Sequence, residues 1–165
     1  MSRNLLIIGA GQYGQVAREV AEAIGIFNKV SFLDDNSELS IGKTEDMADF
    51  AEDYSDAIVA MGNPELKRKF YAMLKEAGFK VATLVHPRAY VSPSAVISEG
   101  CIIEPMAVVH TEAKVGACTF VSAGAVVNHN AVIGEASHID IGSCVKARAV
   151  VETGVKVEAG EVFEG

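Results

Sequence analysis

The sequence predicts an α/β domain followed by an all-β domain: a small Rossmann-like βαβ domain over residues 1–86, then a left-handed parallel β-helix of hexapeptide repeats over residues 87–165. Three observations predict this organisation. A glycine-rich loop follows a short apolar run near the N-terminus. Apolar and amphipathic segments alternate up to residue 86. From Ala89 onward, a branched aliphatic residue recurs at nearly every sixth position.

The first domain is predicted from alternating strand and helix patterns. Continuous apolar runs are typical of buried strands, and segments with apolar residues three and four positions apart are typical of helices. The predicted elements are strands at residues 4–8, 29–33, 57–61 and 81–85, and helices at residues 14–24, 45–51 and 64–77. Pro64 suits a first helical turn, where the backbone N–H has no helical partner. Strand–helix alternation favours a parallel sheet.

A G-x-G-x-x-G motif, Gly9-Ala10-Gly11-Gln12-Tyr13-Gly14, lies between the first predicted strand and helix. In this context glycines let backbone N–H groups approach a phosphate at the helix N-terminus. Asp34 ends the second strand, where a carboxylate can accept hydrogen bonds from a ribose or a base edge. The alternative is a tight strand-to-helix turn without a ligand, and Asp34-Asp35 can also begin a turn toward Asn36. Four strands are too few for a complete dinucleotide fold.

The sequence of the second domain, from Ala89 onward, divides into thirteen consecutive hexads without a gap. The first position of each hexad is small until Val155 and Glu161. The third position is aliphatic in every hexad but the last, at Val91, Ile97, Ile103, Val109, Val115, Val121, Val127, Ile133, Ile139, Val145, Val151, Val157 and Phe163.

Such hexads predict a triangular coil in which each face takes one hexad and each coil takes eighteen residues. The aliphatic third residue fills the interior, and the small residue lies where the chain bends. The region makes a little over four coils, joined by parallel hydrogen bonding at about 4.8 Å spacing. A solenoid this short leaves sheet edges and apolar faces to cover, so trimers are expected.

Composition excludes several classes of protein. A formal net charge of −8 gives no basic surface for nucleic acid or for anionic membranes. The apolar run at residues 5–8 is too short for a signal sequence or a membrane span, which predicts a cytoplasmic protein. Cys101, Cys118 and Cys144 lack CxxC spacing and are interpreted as reduced packing residues.

Several motifs together resemble one family. They are the glycine loop, Leu33-Asp34-Asp35 after the second strand, Met61-Gly62-Asn63, the segment His86-Pro87-Arg88-Ala89-Tyr90-Val91-Ser92-Pro93-Ser94-Ala95, and the hexads. In this combination the chain resembles the NeuD/PglD-like family of sugar O- and N-acetyltransferases. The resemblance implies an acetyl-CoA-dependent acetyltransferase whose acceptor is a nucleotide-linked amino sugar or sialic acid. It also implies a homotrimer that binds acetyl-CoA between adjacent β-helices.

The resemblance also assigns site residues. The family's catalytic histidine corresponds to His129, a general base, with Asn130 beside it. His138 and Ala147 correspond to the acetyl-CoA site. The expected substrate-binding residues are Gly11, Gln12, Tyr13, Asp34, Asp35, Gly62, Asn63 and Lys67.

The sequence departs from the family at several of these positions. Asn130 stands where relatives usually have Asp or Glu, Tyr13 where a histidine is common, and Lys67 where Arg is frequent. Ala147-Arg148 stands where Gly-Asn is common. Without a carboxylate at position 130, the imidazole of His129 is expected to be less basic and less firmly oriented.

Two further hypotheses stay open. With its catalytic partner changed and fewer hexads than its relatives, the protein could be a non-catalytic subunit that binds a nucleotide sugar. A zinc enzyme using His110, His129 and His138 is the third hypothesis. Their spacings of nineteen and nine residues put them at different hexad positions, so no metal is expected.

Overall fold

The computed structural model describes residues 3–165. The chain divides into two compact units, Met1–Ala82 and Thr83–Gly165. The predicted strand at residues 81–85 is in fact two short strands. Lys80–Val81 pairs with Asp56–Ala57 in the first unit, whereas Leu84–Val85 pairs with Ile102–Ile103 in the second. The β-helix therefore begins one hexad earlier than the pattern from Ala89 indicated.

The first unit contains a parallel four-stranded sheet in the order β2-β1-β3-β4. Its elements are β1 (Asn4–Ile8), α1 (Gln12–Ile24), β2 (Lys29–Leu33), a 3₁₀ helix (Thr44–Phe50), β3 (Asp56–Val59), α2 (Pro64–Glu76) and β4 (Lys80–Val81). Because β2 lies on one side of β1 and β3 on the other, the loops after β1 and β3 diverge. Such a divergence opens a crevice at the carboxyl ends of the strands. Neither α-helix in residues 3–165 is long and apolar enough to cross a membrane.

The second unit is a left-handed parallel β-helix built from two-residue strands. Three sheets form its three faces. We call sheet I the face made of β6 (Tyr90–Val91), β9 (Val108–Val109), β12 (Val126–Val127), β15 (Cys144–Val145) and β18 (Val162–Phe163). Sheet II contains β7 (Val96–Ile97), β10 (Lys114–Val115), β13 (Val132–Ile133) and β16 (Val150–Val151). Sheet III contains β5 (Leu84–Val85), β8 (Ile102–Ile103), β11 (Phe120–Val121), β14 (His138–Ile139) and β17 (Lys156–Val157).

The registers confirm the predicted coil of eighteen residues. Val96 pairs with Lys114, which pairs with Val132. The third-position aliphatic side chains from Ile103 to Val157 are at most 1% exposed and form one continuous core with the first-position residues. The fold class predicted from the hexads is therefore confirmed.

The sixth position of every hexad from residue 100 to residue 160 has a positive φ. This left-handed conformation turns the chain at each corner, and it suits glycine because a Cβ is strained there. Five of these positions are glycine, and the others are Met106, Glu112, Cys118, Asn130, Ala136 and Arg148.

Three buried residues at first hexad positions before strands of sheet III link stacked coils. Each donates a hydrogen bond to a carbonyl oxygen fifteen residues later: Cys101 Sγ to Gly116 O at 3.1 Å, Thr119 Oγ1 to Gly134 O at 3.0 Å, and Ser137 Oγ to Glu152 O at 2.9 Å. Thr119 is fully buried. Breaking such a bond leaves a buried carbonyl oxygen short of a donor.

We expect Thr119→Val to lower the free energy of unfolding by about 1–2 kcal/mol, because the isosteric side chain keeps the packing but loses the hydrogen bond. The control Thr119→Ser keeps the hydroxyl and loses one methyl, at a cost of about 0.8 kcal/mol. Urea unfolding of the two variants compares these costs. A valine variant as stable as the wild-type protein would show that the bond does not stabilise the coil.

Candidate active site

A cavity of about 290 Å³ lies at the carboxyl ends of β1 and β3 in the first unit. Its lining combines the glycine loop with the loop after β3: Gly9, Gly11, Gln12, Tyr13, Asp34, Ala60, Met61, Gly62, Asn63 and Leu66. The N-termini of α1 and α2 both begin here, at Gln12 and Pro64. Free N–H groups and the positive end of a helix dipole favour a bound phosphate.

The three glycines of the motif have three different physical roles. Gly9 has φ +105°, and a Cβ there would lie 2.8 Å from the Ala60 carbonyl oxygen. A Cβ on Gly14 would lie 2.1 Å from the Gly9 carbonyl oxygen, so Gly14 permits close packing of α1 on β1. Gly11 faces open space, with no atom within 4 Å of a Cβ built there. A ligand can therefore approach the backbone at Gly11.

Asp34 and Asp35 both accept hydrogen bonds from the protein. Asp34 Oδ2 accepts from Ala10 N at 2.8 Å, which ties the glycine loop to the end of β2. Its Oδ1 accepts from Asn36 N at 2.8 Å, which forms the expected turn. Asp35 Oδ1 accepts from the backbone N–H and the hydroxyl of Thr44, and these bonds hold the pKa of Asp35 below its usual range. Each carboxylate still has lone pairs for a ligand.

Two adjoining cavities extend this site past Asp34 and Asp35, with volumes of about 320 and 410 Å³. Asp34, Met61 and Leu66 line both the glycine-loop cavity and the next one. Lys69 and Phe70 line the second and the third cavities, and Lys43 lines the third. We call the three cavities together the strand-end groove.

Lys67, which was expected among the substrate-binding residues, lines none of these three cavities. Its residue is fully buried on α2, on the face that also buries Phe70 and Leu74. Leu66, Lys69 and Met73 lie on the neighbouring face, which lines the groove. The lysines that line the groove are Lys43 and Lys69.

Tyr13 and Asn63 have local structural roles within the groove. The ring of Tyr13 packs against Gly62, where a Cβ would lie 2.9 Å from the Tyr13 Cε2 atom. Asn63 caps α2, because its Oδ1 accepts a hydrogen bond from Leu66 N at 2.9 Å. Both residues line the glycine-loop cavity, as do Gly11, Gln12 and Gly62.

His129 lies in the second unit, at the corner where the chain passes from β12 in sheet I to β13 in sheet II. The residue is half-buried. Its backbone N–H donates to Asn128 Oδ1 at 2.7 Å. Its Nδ1 lies 3.1 Å from Asn130 Oδ1. We call residues 128–130, with the residues stacked on them in neighbouring coils, the histidine corner.

Asn130 is in turn bound by a carboxylate from the preceding coil. Its Nδ2 donates to Glu112 Oε2 at 2.6 Å. A carboxylate therefore does reach this corner, contrary to the expectation from Asn130 alone, but the side chain of Asn130 lies between it and the imidazole. The spacing of eighteen residues between Glu112 and Asn130 is the signal that could have found it, because it equals one coil.

Ala147 and His138 have different surroundings. Ala147 is one coil beyond His129, and the adjacent Arg148 N donates to the His129 carbonyl oxygen at 3.1 Å. Ala147 thus lies at the histidine corner. His138 belongs to β14 in sheet III, so within one chain it is not at the same corner.

His138 is buried, with only 5% of its surface exposed. It therefore does not lie on a solvated face of the β-helix. Its Nε2 lies 2.9 Å from Ser122 Oγ, and its ring packs edge-on against Phe120. Ser122 also donates to Glu104 Oε1 at 3.0 Å. Burial raises the pKa of Glu104 despite this bond.

The three histidines of the zinc hypothesis do not meet in one chain. The rings of His110 and His129 are 6.4 Å apart, whereas His138 is on sheet III. Within residues 3–165, no three or more His, Cys, Asp or Glu residues are grouped so that they could hold a metal ion.

The fold defines the class: a Rossmann-like α/β domain joined to a hexapeptide-repeat β-helix. The chain matches the family described as PglD N-terminal domain over residues 4–74. It is 30% identical over 110 residues to UDP-N-acetylbacillosamine N-acetyltransferase from Bacillus subtilis. That match covers 61% of this chain and 51% of the relative, so the chain spans about half the length of the curated relative.

Solved structures match nearly the whole chain. The acetyltransferase domain of PglB from Neisseria gonorrhoeae, in complex with acetyl coenzyme A, is 30% identical, with a TM-score of 0.85 over 99% of this chain and 93% of that chain. PerB from Caulobacter crescentus, in complex with CoA and GDP-perosamine, has a TM-score of 0.77 at 22% identity, over 98% of this chain and 91% of that chain, and shows the shared fold. The chain belongs to the NeuD/PglD-like family of sugar acetyltransferases, which confirms the resemblance found in the sequence.

Proposed function

We propose that the chain is an acetyl-CoA-dependent N-acetyltransferase that acetylates the amine of a nucleotide-linked amino sugar, with His129 as general base. The observation that carries the proposal is the imidazole of His129, which is hydrogen-bonded to Asn130. It lies in a β-helix whose fold is similar to that of a protein solved in complex with acetyl coenzyme A. The name of the Bacillus subtilis relative supports an amine acceptor over a hydroxyl acceptor.

The strand-end groove supports a nucleotide-linked acceptor. Backbone at Gly11 is open to a phosphate, and the N-termini of α1 and α2 favour negative charge. Asp34 can accept hydrogen bonds from ribose or base, and Lys69 supplies a cation farther along the groove. A sugar attached to the nucleotide carries the amine that reacts.

The reaction needs a base because an ammonium group is not a nucleophile. The neutral amine attacks the thioester carbonyl, a C–N bond forms, and the C–S bond of acetyl-CoA breaks. His129 Nε2 takes the proton that the amine loses, and the proton then passes to the departing thiolate of CoA. Imidazole suits this exchange because it titrates near neutral pH.

We also infer that three copies of the chain assemble around their β-helices, with His129 at the contact between copies. Sheets I and II meet at the histidine corner, and both have exposed apolar side chains at second hexad positions. On sheet I these are Tyr90 and Val162, and on sheet II they are Val96, Val132 and Val150, each between 39% and 56% exposed. Exposed apolar patches of this kind favour contact between protein surfaces.

The direct test measures thiol release from acetyl-CoA with a panel of acceptors, on a sample whose mass is determined by light scattering. The panel pairs a UDP-linked 4-amino sugar with the same nucleotide sugar bearing a hydroxyl at that carbon, and adds free amino sugars and sialic acid. We expect release with the amine compound only, and a trimer mass.

Other results discriminate between the remaining hypotheses. Release with the hydroxyl compound or with sialic acid would make the protein an O-acetyltransferase. Binding of the nucleotide sugar without release of thiol from any acceptor would favour the non-catalytic subunit.

A further inference from the structure

Three side chains from two successive coils form a linear hydrogen-bonded chain at the histidine corner. Glu112 Oε2 accepts from Asn130 Nδ2 at 2.6 Å, and Asn130 Oδ1 lies 3.1 Å from His129 Nδ1. We call Glu112, Asn130 and His129 the relay. The side chain of Asn130 is thus held at both ends.

Donor and acceptor chemistry fixes the direction of the relay. An ionised carboxylate can only accept, so the group of Asn130 that faces Glu112 is its NH₂. The amide oxygen of Asn130 therefore faces His129, and an oxygen can only accept. Nδ1 of a neutral His129 must then carry the ring proton, which leaves the lone pair of Nε2 free. This is the tautomer that a general base acting through Nε2 requires.

The backbone holds the relay in register. Asn130 N donates to the Thr111 carbonyl oxygen at 2.9 Å, and Glu112 N donates to Ser94 Oγ at 3.1 Å. Both Glu112 and Asn130 have positive φ, of 56° and 59°. Because the two turns have the same conformation and are stacked one coil apart, their side chains leave the corner in the same direction.

Other charged and titratable groups lie around the relay. His110 has its ring 6.4 Å from that of His129. Arg148 occupies the sixth position of the next coil, above Asn130, and its backbone N–H binds the His129 carbonyl oxygen. Lys146, stacked on Asn128, is paired with Glu164. Charges of both signs therefore surround His129. Among them, Glu112 is hydrogen-bonded to the Asn130 amide that contacts the imidazole.

We propose that Glu112 is a positioning residue for the reaction: through Asn130 it selects the Nδ1-protonated tautomer of His129 and stabilises the imidazolium formed when Nε2 takes a proton. The carboxylate next to the base is thus supplied by the preceding coil and not by the residue after the histidine. This inference rests on the proposed function for its catalytic consequence, whereas the choice of tautomer does not depend on it.

Four variants separate charge from geometry. Glu112→Gln keeps an oxygen for Asn130 Nδ2 and removes the charge, and Glu112→Ala removes both. The double variant Glu112→Gln with Asn130→Asp places a carboxylate directly against His129 Nδ1. Glu152→Gln is the matched control, an exposed carboxylate on another corner of the β-helix.

For the kinetics, we expect Glu112→Gln to lower kcat about fivefold and Glu112→Ala about twentyfold, with KM for acetyl-CoA unchanged. The acidic limb of the kcat–pH profile should shift to lower pH in both, because the imidazolium loses its anionic partner. The double variant should recover most of kcat and shift the limb back upward, and Glu152→Gln should match the wild type. A loss of kcat without a pH shift or without recovery in the double variant would mean a merely structural role and would overturn the proposal.

The closing experiment reads the tautomer without turnover, by ¹H–¹⁵N correlation spectra of the imidazole nitrogens, with His129→Gln used to assign the signals. We expect His129 of the wild-type protein to carry its proton on Nδ1, and Glu112→Ala to lose that preference. Nδ1 protonation that is equal in the two proteins, or absent from both, would overturn the proposal. The tautomer preference could be lost in Glu112→Ala as expected while neither protein releases thiol with any acceptor. That result would contradict the proposed function but would still support the role of Glu112 in selecting the tautomer of His129.

Discussion

Replacement of His129 by alanine is expected to lower kcat about a hundredfold or more, because general-base catalysis contributes about that factor. The imidazole is half-buried and hydrogen-bonded to Asn130, and alanine offers no group to take the proton of the amine. Affinity for acetyl-CoA and for the nucleotide sugar should change little. Initial rates of thiol release and equilibrium binding of both substrates measure these effects.

His110→Ala is the matched control for this experiment. The His110 ring is 6.4 Å from the His129 ring at the same corner, but its side chain is exposed. We expect the variant to retain most of the activity. A larger loss in His110→Ala than in His129→Ala would assign the base to the other histidine. Activity of His129→Ala within tenfold of the wild type would exclude general-base catalysis by His129.

The second large effect is expected at the glycine loop, where two glycines three positions apart should behave differently. In Gly14→Ala the new methyl would lie 2.1 Å from the Gly9 carbonyl oxygen, which belongs to the backbone. The helix α1 would have to move from β1, at a cost of about 3 kcal/mol. We expect the thermal midpoint of the first unit to fall by roughly 12–24 °C, because about 1 kcal/mol lowers the midpoint of a domain of this size by about 4–8 °C.

Gly11→Ala should leave the fold intact and weaken ligand binding. Gly11 has φ −73° and ψ −163°, a conformation open to any residue, and no atom lies within 4 Å of the added methyl. The methyl would instead occupy the space where a phosphate approaches the backbone, so affinity for the nucleotide sugar should fall about tenfold or more. Calorimetric titration alongside thermal unfolding compares the two variants. Unchanged nucleotide-sugar affinity in Gly11→Ala would place the ligand elsewhere.

Much of the fold could be predicted because its signals are periodic and local. The residues of β1 and β2 were predicted without error, and the hexads gave the coil, its interior and its length. The strand predicted at 81–85 was wrong, because four apolar residues look alike whether they pair with Asp56–Ala57 or with Ile102–Ile103. Which partner a short apolar run takes is decided by long-range pairing, which has no local pattern.

The candidate site was predictable to a different degree in each unit. The glycine motif, Asp34 and Met61-Gly62-Asn63 all line one cavity, because loops at the carboxyl ends of parallel strands must meet there. Lys67 was expected there as well, but it is fully buried and lines none of the three cavities. Helix periodicity alone does not separate Lys67 from Lys69, because Phe70, three positions after Lys67, lines the groove as Lys69 does.

The β-helix and the glycine loop could be predicted from the sequence, because they depend on spacings of two to eighteen residues along one chain. That His129 lies at a corner became visible in the structure. Three further features could be seen only in the folded chain: Glu112 reaches Asn130, His138 is buried on sheet III, and Lys43 and Lys69 line the groove. These outcomes depend on where side chains point once coils stack and helices pack. A side chain's direction is set by neighbours that are distant in sequence.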